Sequence, residues 1–171
     1  MPEVEALLPR FRAAHTQVLG ISVDSIYCHA NWAETLGGIS FPLLSDFHPK
    51  GAVADSYGLY LEGPGITDRA TLIIDADGVV RHASSVTPSG RRDISELAAL
   101  CEDVDQSYGG SLPEIAPPKG PPTDATLYVK SQCGFSRAAL LAHANLHLHD
   151  AVAVRNVSEQ AEALDELLGL T

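Results

Sequence analysis

Residues 107–123, with the sequence SYGGSLPEIAPPKGPPT, contain five prolines and three glycines. Proline has no backbone N–H and glycine weakens regular structure, so this stretch can continue neither a helix nor a central strand. We therefore predict a linker over residues 107–123. It would separate a first domain of residues 1–106 from a second domain of residues 124–171.

The first domain shows alternating strand and helix patterns. Val4, Leu7, Leu8 and Phe11 recur at helical spacing, and Asp93 can cap a later amphipathic helix. The sequence predicts helices over residues 3–15, 26–36, 49–58 and 94–104, and strands over residues 16–23, 41–44, 71–75 and 79–83. Strands that alternate with helices indicate an α/β sheet.

The stretch RATLIIDADGVVRHAS, residues 69–84, predicts a hairpin. Thr71–Asp75 is short and β-branched, as in a central strand buried on both faces, and Asp77-Gly78 is a strong turn signal before Val79–Ala83. Arg69 stands where the strand begins. A permanently charged side chain at that position is expected to bind an anion or a carboxylate. The ordinary alternative for Arg69 is a surface salt bridge.

The second domain reads as a βαβα unit. The predicted strands cover residues 125–129 and 151–154, and the predicted helices cover residues 134–144 and 158–168. Ser158 followed by Glu162 indicates a shifted capping box at the start of the last helix.

Composition excludes several classes of function. The net charge is −11, and no basic cluster exists beyond Arg91-Arg92, which argues against nucleic acid as a partner. No signal peptide or apolar run of membrane-spanning length is present, so we expect a cytoplasmic protein that does not bind membranes. Three cysteines are too few for a disulfide framework, so free or redox-active thiols are expected.

Cys133 is the strongest candidate for chemistry. It lies between a predicted strand end and a helix start, where backbone N–H groups and the helix dipole stabilise a thiolate. Lys130 adds a nearby cation, and Ser136 can donate a hydrogen bond to the sulfur but cannot form a disulfide. This leaves mixed-disulfide or ligand chemistry. The alternative is a small buried residue at a helix start.

The other thiols and the histidines carry weaker signals. Cys28 lies in the first turn of a predicted helix, where it could be a reactive thiol or an ordinary packing residue. Cys101 falls on an apolar helix stripe and is predicted to be a core residue. His143, His147 and His149 straddle a helix end and a loop without a completing carboxylate pattern, so we predict no metal site.

The segment VKSQCGFS, residues 129–136, resembles the active-site strand and helix of monothiol glutaredoxins, and the resemblance extends loosely to Thr171. It implies a partial glutaredoxin-like domain in which Cys133 is the glutathione-exchanging or iron–sulfur-ligating thiol. Lys130 would contact a glutathione carboxylate. The Thr-Val-Pro stretch and Gly-Gly turn that complete the family's glutathione site lie beyond Thr171.

Several segments in order resemble peroxiredoxins of the thiol-specific antioxidant class. These are VLGISVDS, HANWAETLG, FPLLSDFHPKGAVADSYG and RATLIIDADGVVR. The resemblance implies a thioredoxin-like three-layer sandwich and reduction of hydroperoxides with a thiol reductant, glutathione or a thioredoxin-like protein, and with no required cofactor. Arg69 would hold the attacking sulfur as a thiolate, and Cys28 would correspond to a resolving cysteine of some relatives.

In that family the attacking cysteine stands in a Thr-x-x-Cys segment just upstream of the helix that here begins MPEVEAL. This sequence starts after that segment, so we expect an incomplete peroxiredoxin core without peroxidase activity of its own. The parent would be a thiol-dependent antioxidant oxidoreductase. The alternative is a catalytically inactive redoxin-like binding or scaffold protein.

The central strand of the sheet would also be missing, between residues 16–23 and residues 71–75. We expect these two strands to close the gap by direct pairing or to pair with a second chain, which predicts a homodimer through an exposed edge. Insertion of residues 125–129 into the gap, which would bring Cys133 near Arg69, is the less favoured arrangement.

Overall fold

A computed structural model describes residues 1–117, 119–122 and 124–170. The chain forms two compact units. Unit 1 comprises Met1–His29 and Phe41–Ala116, and unit 2 comprises Ala30–Ser40 and Pro117–Thr171. The described part of the predicted linker contains no strand, and its only helical residue is Ser107, while Pro118 and Thr123 lie outside the described residues. The domain boundaries drawn from the sequence stay predictions.

The first predicted helix is interrupted. The structure has α1 over Pro2–Ala6 and α2 over Leu8–Ala13, with Leu7 between them at φ −99° and ψ 5°. Pro9 explains the break, because it has no N–H to donate to the carbonyl one turn earlier. A single helix over residues 3–15 is therefore wrong.

Three more helices contain residues of unit 1, and six strands lie within it. The helices are α3 (Ile26–Thr35), α4 (Ala52–Ser56) and α5 (Ile94–Ser107). The strands are β1 (Gly20–Ser22), β2 (Leu43–Ser45), β3 (Tyr60–Leu61), β4 (Ile66–Thr67), β5 (Ala70–Ile74) and β6 (Val80–Ser85). Helix α3 ends before Gly37 and Gly38, which both have positive φ, and its last six residues belong to unit 2.

The described strands form two-stranded sheets only. Strand β1 pairs in parallel with β2, and β5 pairs antiparallel with β6, but β1 and β5 do not pair with each other. The expected direct pairing across the gap is therefore wrong within the described residues. Both strands keep an edge without a partner strand there, and β1 is shorter than predicted.

The predicted hairpin is confirmed. The carboxylate of Asp75 accepts hydrogen bonds from the backbone of Asp77 and Val79, and Gly78 has φ 81°. The register shifts between Ile73 and Ile74. Of the residues of β5, only Ile73 is buried, so the expectation of a strand buried on both faces is wrong. Within β5, Ile73 contributes to the core while the next residue, Ile74, is exposed.

The core of unit 1 joins the hairpin to helices α2 and α5. Its buried members are Phe11, Ala14, Ile73, Ile94, Ala98 and Cys101. Cys101 is therefore a core residue, as predicted. The side chain of Asp93 accepts a hydrogen bond of 3.0 Å from the backbone of Glu96, which confirms the predicted cap of α5. This packing fixes the first turn of α5 against the start of β5.

Unit 2 contains β7 (Thr126–Val129), α6 (Gly134–Asn145), β8 (Ala153–Asn156) and α7 (Ala161–Gly169). Strands β7 and β8 pair in parallel, which confirms the βαβα order. Among the described residues β7 pairs with β8 alone, so its insertion between the strands of unit 1 is wrong. The capping box at Ser158 is also wrong, since α7 is preceded by Gln160.

Candidate functional site

The backbone of Arg69 is fixed at the open end of the β5–β6 hairpin. Its N–H donates to the Asp68 carboxylate over 2.8 Å, and its carbonyl accepts a bond of 3.2 Å from the N–H of Val86. The side chain is exposed. Arg69 therefore presents an exposed guanidinium from a fixed point of the chain, directly before the first residue of β5.

A second guanidinium, that of Arg92, lies at the same place. Its Nη2 donates to the carbonyl of Ala70 over 2.6 Å, which ties the residue before the α5 cap to the start of β5. Burial lowers the pKa of Arg92, the positive charge of Arg69 lowers it further, and the negative charge of Asp68 raises it. The Arg92 Nε is buried and has no hydrogen-bond partner among the described residues.

The sequence did not predict a functional role for Arg92. Arg91-Arg92 is the one basic pair, but Arg92 contacts Ala70, which lies 22 positions earlier in the sequence. The sequence feature that could have indicated such a role is a cation directly before the N-cap residue of a helix. Arg91 differs from Arg92 because it forms an exposed ion pair with Glu3. A cleft of about 550 Å³ is lined by both arginines, Glu3 and the first residues of α5.

The start of α1 also lies beside this pair. Burial lowers the pKa of the Met1 amino group, Glu3 raises it, and the charges of Arg69 and Arg92 lower it. Such an effect of both guanidiniums on one amine requires them to be close to it. The hairpin, α5 and α1 therefore converge on one positively charged region, which we call the arginine site: Arg69, Arg92 and the adjoining Asp68.

Cys28 lies in the first turn of α3 and is exposed. Its thiol donates to the Asp24 carboxylate over 3.8 Å, and its N–H donates to the Ser25 hydroxyl over 3.3 Å. These partners belong to its own turn. No hydrogen bond joins Cys28 to Arg69 within the described residues.

Cys133 occupies the N-cap position of α6, directly after the loop that follows β7. The predicted position between a strand end and a helix start is confirmed. Hydrogen bonds to the thiolate from the backbone and the hydroxyl of Ser136 lower the pKa of Cys133, and the backbone of Phe135 and the charge of Lys130 lower it further. Burial opposes them. The side chain of Phe135, two residues after this thiol, is 90% exposed, so its aromatic ring is in contact with solvent.

The loop before Cys133 is held by polar contacts. The Lys130 N–H donates to the Ser136 hydroxyl over 3.0 Å, and the Asn156 amide donates to the Ser131 hydroxyl over 2.9 Å. The Ser131 hydroxyl in turn donates to Glu159 over 2.6 Å. Gln132 has φ 56°, a strained backbone for a residue other than glycine. We call this group, Lys130 to Ser136 with its partners, the thiol site.

His143 has a structural role in unit 2. His143 is buried, its Nε2 lies 2.9 Å from the carbonyl of Val152, and its ring packs edge-on against His149 at 4.9 Å between centroids. In the described part of the chain, no group of three or more His, Cys, Asp or Glu residues is placed to hold a metal ion. No described helix is long and apolar enough to cross a membrane.

Comparison with known structures defines the class. The chain is similar to AhpC of Mycobacterium tuberculosis, with 30% identity and a TM-score of 0.54 over 60% of this chain and 57% of that one. It is also similar to the mitochondrial 2-Cys peroxiredoxin of Plasmodium falciparum, with 30% identity and a TM-score of 0.54 over 65% and 69%. The fold is the mixed α/β, thioredoxin-like fold of the peroxiredoxins.

The sequence comparisons agree. The AhpC/TSA family model matches residues 1–83. Alkyl hydroperoxide reductase E of Mycobacterium tuberculosis is 43% identical over 97 residues, which are 54% of this chain and 63% of that protein. The 2-Cys peroxiredoxin BAS1 of Spinacia oleracea is 31% identical over 113 residues, 63% of this chain and 41% of that protein. The N-terminal part of this chain belongs to the AhpC/TSA family of peroxiredoxins.

These matches cover only part of the chain and of its relatives. The chain spans 63% or less of the curated relatives cited above, and the family match covers Arg69 but ends before α5. The glutaredoxin resemblance of unit 2, and the roles of Arg69, Cys28, Cys133, Lys130 and Ser136, stay predictions.

Proposed function

We propose that this chain supplies the positively charged part of a thiol-dependent, hydroperoxide-reducing site. The family assignment of residues 1–83 supports this proposal. The observation that carries it is the placement of two arginines at the start of β5: Arg69 directly precedes its first residue, and the Arg92 guanidinium donates to the carbonyl of that residue. The charge of Arg69 acts unfavourably on Arg92, and the single carboxylate of Asp68 offsets only one of the two cations, so further negative charge is favoured there.

The chemistry gives both cations a task. A thiolate attacks one peroxide oxygen, the O–O bond breaks, and the sulfur becomes a sulfenic acid while the leaving alkoxide takes a proton. Two equivalents of a thiol reductant then restore the thiol, with release of a disulfide and water. Guanidiniums would stabilise the thiolate before attack and the charge on the leaving oxygen during it.

None of the three cysteines is assigned as the attacking sulfur. Cys101 lies in the core, where burial raises its pKa, and Cys133 belongs to unit 2. Cys28 has hydrogen-bond partners in its own turn only, and none of them belongs to the arginine site. The proposal places the attacking sulfur in a Thr-x-x-Cys segment outside this sequence. The strand that precedes that segment would lie against the edges of β1 and β5.

The test supplies this segment in trans. The 171-residue chain is mixed with a synthetic peptide that carries a β-strand followed by Thr-x-x-Cys, and consumption of tert-butyl hydroperoxide is followed with dithiothreitol as reductant. The mixture should be faster than the sum of its parts. Arg69→Ala should remove about a hundredfold of that rate, the usual loss when one preorganised donor is deleted, and Arg92→Ala should also reduce it.

Two controls sharpen the test. A peptide with Ser in place of Cys should be inactive, and Arg81→Ala, which removes a cation at the far end of the same hairpin, should leave the rate unchanged. If the mixture only equals the sum of its parts, or if Arg69→Ala has no effect, the proposal is wrong. Peroxide consumption by the chain alone that is lost in Cys28→Ser or Cys133→Ser would refute the assignment of the sulfur.

A second function, thiol exchange at Cys133, is favoured by the lowered pKa of this thiol. The Cys133 thiolate would attack one sulfur of glutathione disulfide, the S–S bond would break, and glutathione thiolate would leave. A second glutathione would resolve the mixed disulfide, since Ser136 cannot. Mass spectrometry should find the adduct in wild type and Cys28→Ser and none in Cys133→Ser; an adduct confined to Cys28 would contradict this assignment.

Location and assembly stay predictions. We propose a cytoplasmic protein that uses glutathione or a thioredoxin-like reductant and requires no cofactor. A homodimer of the 171-residue chain by itself is proposed to form through the edges of β1 and β5, which have no partner strand among the described residues, and the strand that precedes the Thr-x-x-Cys segment would compete for the same edges. Light scattering that shows a monomer at all concentrations would exclude the dimer.

A further inference from the structure

Asp68 is a carboxylate inside the arginine site that has no assigned role. It is half-buried, and both its oxygens are engaged: Oδ1 accepts from the Arg69 N–H over 2.8 Å, and Oδ2 accepts from the Ser85 hydroxyl over 2.6 Å. Its own N–H donates to the carbonyl of Leu59 over 2.7 Å. The carboxylate is therefore fixed in position.

The two partners of this carboxylate are neutral. Among the described residues, Asp68 forms no ion pair within 4 Å, although it adjoins Arg69 in sequence and Arg92 bonds to the next residue, Ala70. A carboxylate paired with a guanidinium would occupy that guanidinium's donors. Asp68 instead occupies no donor of either guanidinium, while its charge acts on Arg92. It lowers the net charge of the arginine site from +2 to +1 without forming an ion pair with either guanidinium.

That arrangement distinguishes ligands by charge. An inorganic dianion such as sulfate or phosphate is attracted by two guanidiniums, and a fixed carboxylate beside them repels it twice as strongly as it repels a monoanion. An uncharged hydroperoxide feels almost none of this repulsion. It can still accept hydrogen bonds from the guanidinium donors that no protein group occupies.

We propose that Asp68 is a specificity-determining residue that keeps inorganic oxyanions out of the arginine site and leaves it open to a neutral hydroperoxide. The inference rests on the proposed function, because it presumes that the arginine site is the peroxide site. Ser85 is its positioning partner, since the serine hydroxyl holds the carboxylate in place at the end of β6.

The test is a titration of the full chain with sodium sulfate at constant ionic strength, with the NMR shift of the Ala70 amide as the readout. Asp68→Asn keeps the size and the acceptor oxygen but removes the charge. It should bind sulfate about tenfold more tightly than wild type, as expected for one charge acting on a dianion at close range. Asp68→Glu restores the charge and should return the affinity toward the wild-type value.

Two further variants complete the test. Ser85→Ala releases the carboxylate from its fixed position and should bring the sulfate affinity part of the way toward that of Asp68→Asn. Asp165→Asn makes the same change in net charge on α7 of unit 2 and should have no effect. A gain in Asp165→Asn as large as in Asp68→Asn would show that only the overall charge matters, and would overturn the proposal.

The remaining outcomes separate this inference from the proposed function. If Arg69→Ala and Arg92→Ala abolish sulfate binding but Asp68→Asn does not strengthen it, the arginine site stands and the role of Asp68 is wrong. If neither arginine variant changes the binding in the Asp68→Asn background, the arginine site itself is wrong. Absence of sulfate binding in Asp68→Asn would also overturn the inference, which requires that variant to bind.

Discussion

The arginine site and the thiol site are built over different sequence distances. The cations of unit 1 come from the residue before β5 and the residue before the α5 cap, and they meet only because Arg92 bonds to Ala70. The groups that lower the pKa of Cys133 come from Lys130, Phe135 and Ser136. A site that must hold two like charges together depends on tertiary packing. A site that stabilises one thiolate at a helix start can be encoded in a single turn.

The core of unit 1 shows how that packing is achieved. Ile73 comes from the hairpin, Ile94 and Ala98 come from the first turns of α5, and Phe11 from α2 packs among them. Ile73 belongs to the strand that follows Arg69, and Ile94 lies two residues after Arg92, so the cluster holds together the two elements that carry the guanidiniums. The apolar cluster therefore opposes the repulsion between Arg69 and Arg92, a task that has no equivalent at the thiol site.

The largest effect is expected from Phe11→Ala. Truncation of a buried phenylalanine should lower the free energy of unfolding by about 3–5 kcal/mol, because this ring is 5% exposed and packs between the hairpin and α5. Urea denaturation measures the loss, and the Ala70 amide shift reports whether the arginine site survives. Phe47→Ala is the matched control, since that ring is 58% exposed and its loss should change the stability little.

Phe11→Ala also tests the contrast between the two sites. Below the unfolding transition, the alkylation rate of Cys133 should stay at its wild-type value, because its stabilising groups are local. A loss of Cys133 reactivity equal to the loss of the Ala70 signal would show that both sites depend on the same core.

Ser136→Ala should have the next largest effect, at the thiol site. The pKa of Cys133 lies below that of an ordinary thiol, so a larger fraction is thiolate at neutral pH, and this advantage disappears as the pH rises above the usual thiol pKa. Removal of the hydroxyl should raise the midpoint of the pH–rate profile. It should slow alkylation by iodoacetamide at pH 7 by roughly three- to tenfold, since one pKa unit is a factor of ten in thiolate.

Ser136→Thr is the control for this prediction, because it keeps the hydroxyl. Its profile should stay near the wild-type midpoint. At high pH, where every thiol is ionised, all three proteins should react at similar rates. If Ser136→Ala is slower there by the same factor, the hydroxyl acts on access to the sulfur and not on its pKa.

The same difference in sequence distance explains which structural features the sequence alone predicts. The hairpin turn at Asp77-Gly78, the Asp93 cap and the position of Cys133 are local patterns, and each is confirmed. The position of Arg92 beside Arg69 depends on how α5 packs on β5, which no local pattern contains. The break at Leu7 could have been found, since Pro9 removes a backbone donor.

Strand pairing was the feature that the sequence predicted least well. The sequence indicates apolar strands at residues 16–23 and 71–75, but an apolar run does not show which strand it pairs with. Gly20 in β1 pairs with Leu43, and Ala70 in β5 pairs with Ser85, so each strand is satisfied on one side by its own neighbour. Each strand still has an edge without a partner strand among the described residues, and these two edges do not pair with each other.

The smallest expected effect is that of Asp93→Ala, which tests how firmly the start of α5 holds Arg92. Loss of the N-cap hydrogen bond to Glu96 should lower the free energy of unfolding by about 1 kcal/mol, as measured by urea denaturation, with Asp93→Ser restoring most of it. Because Arg92 directly precedes the cap, fraying of the first turn should weaken its bond to the Ala70 carbonyl and shift the Ala70 amide signal. A loss of stability without that shift would mean that the hairpin alone positions Arg92, and the arginine site would then be more local than its sequence distances indicate.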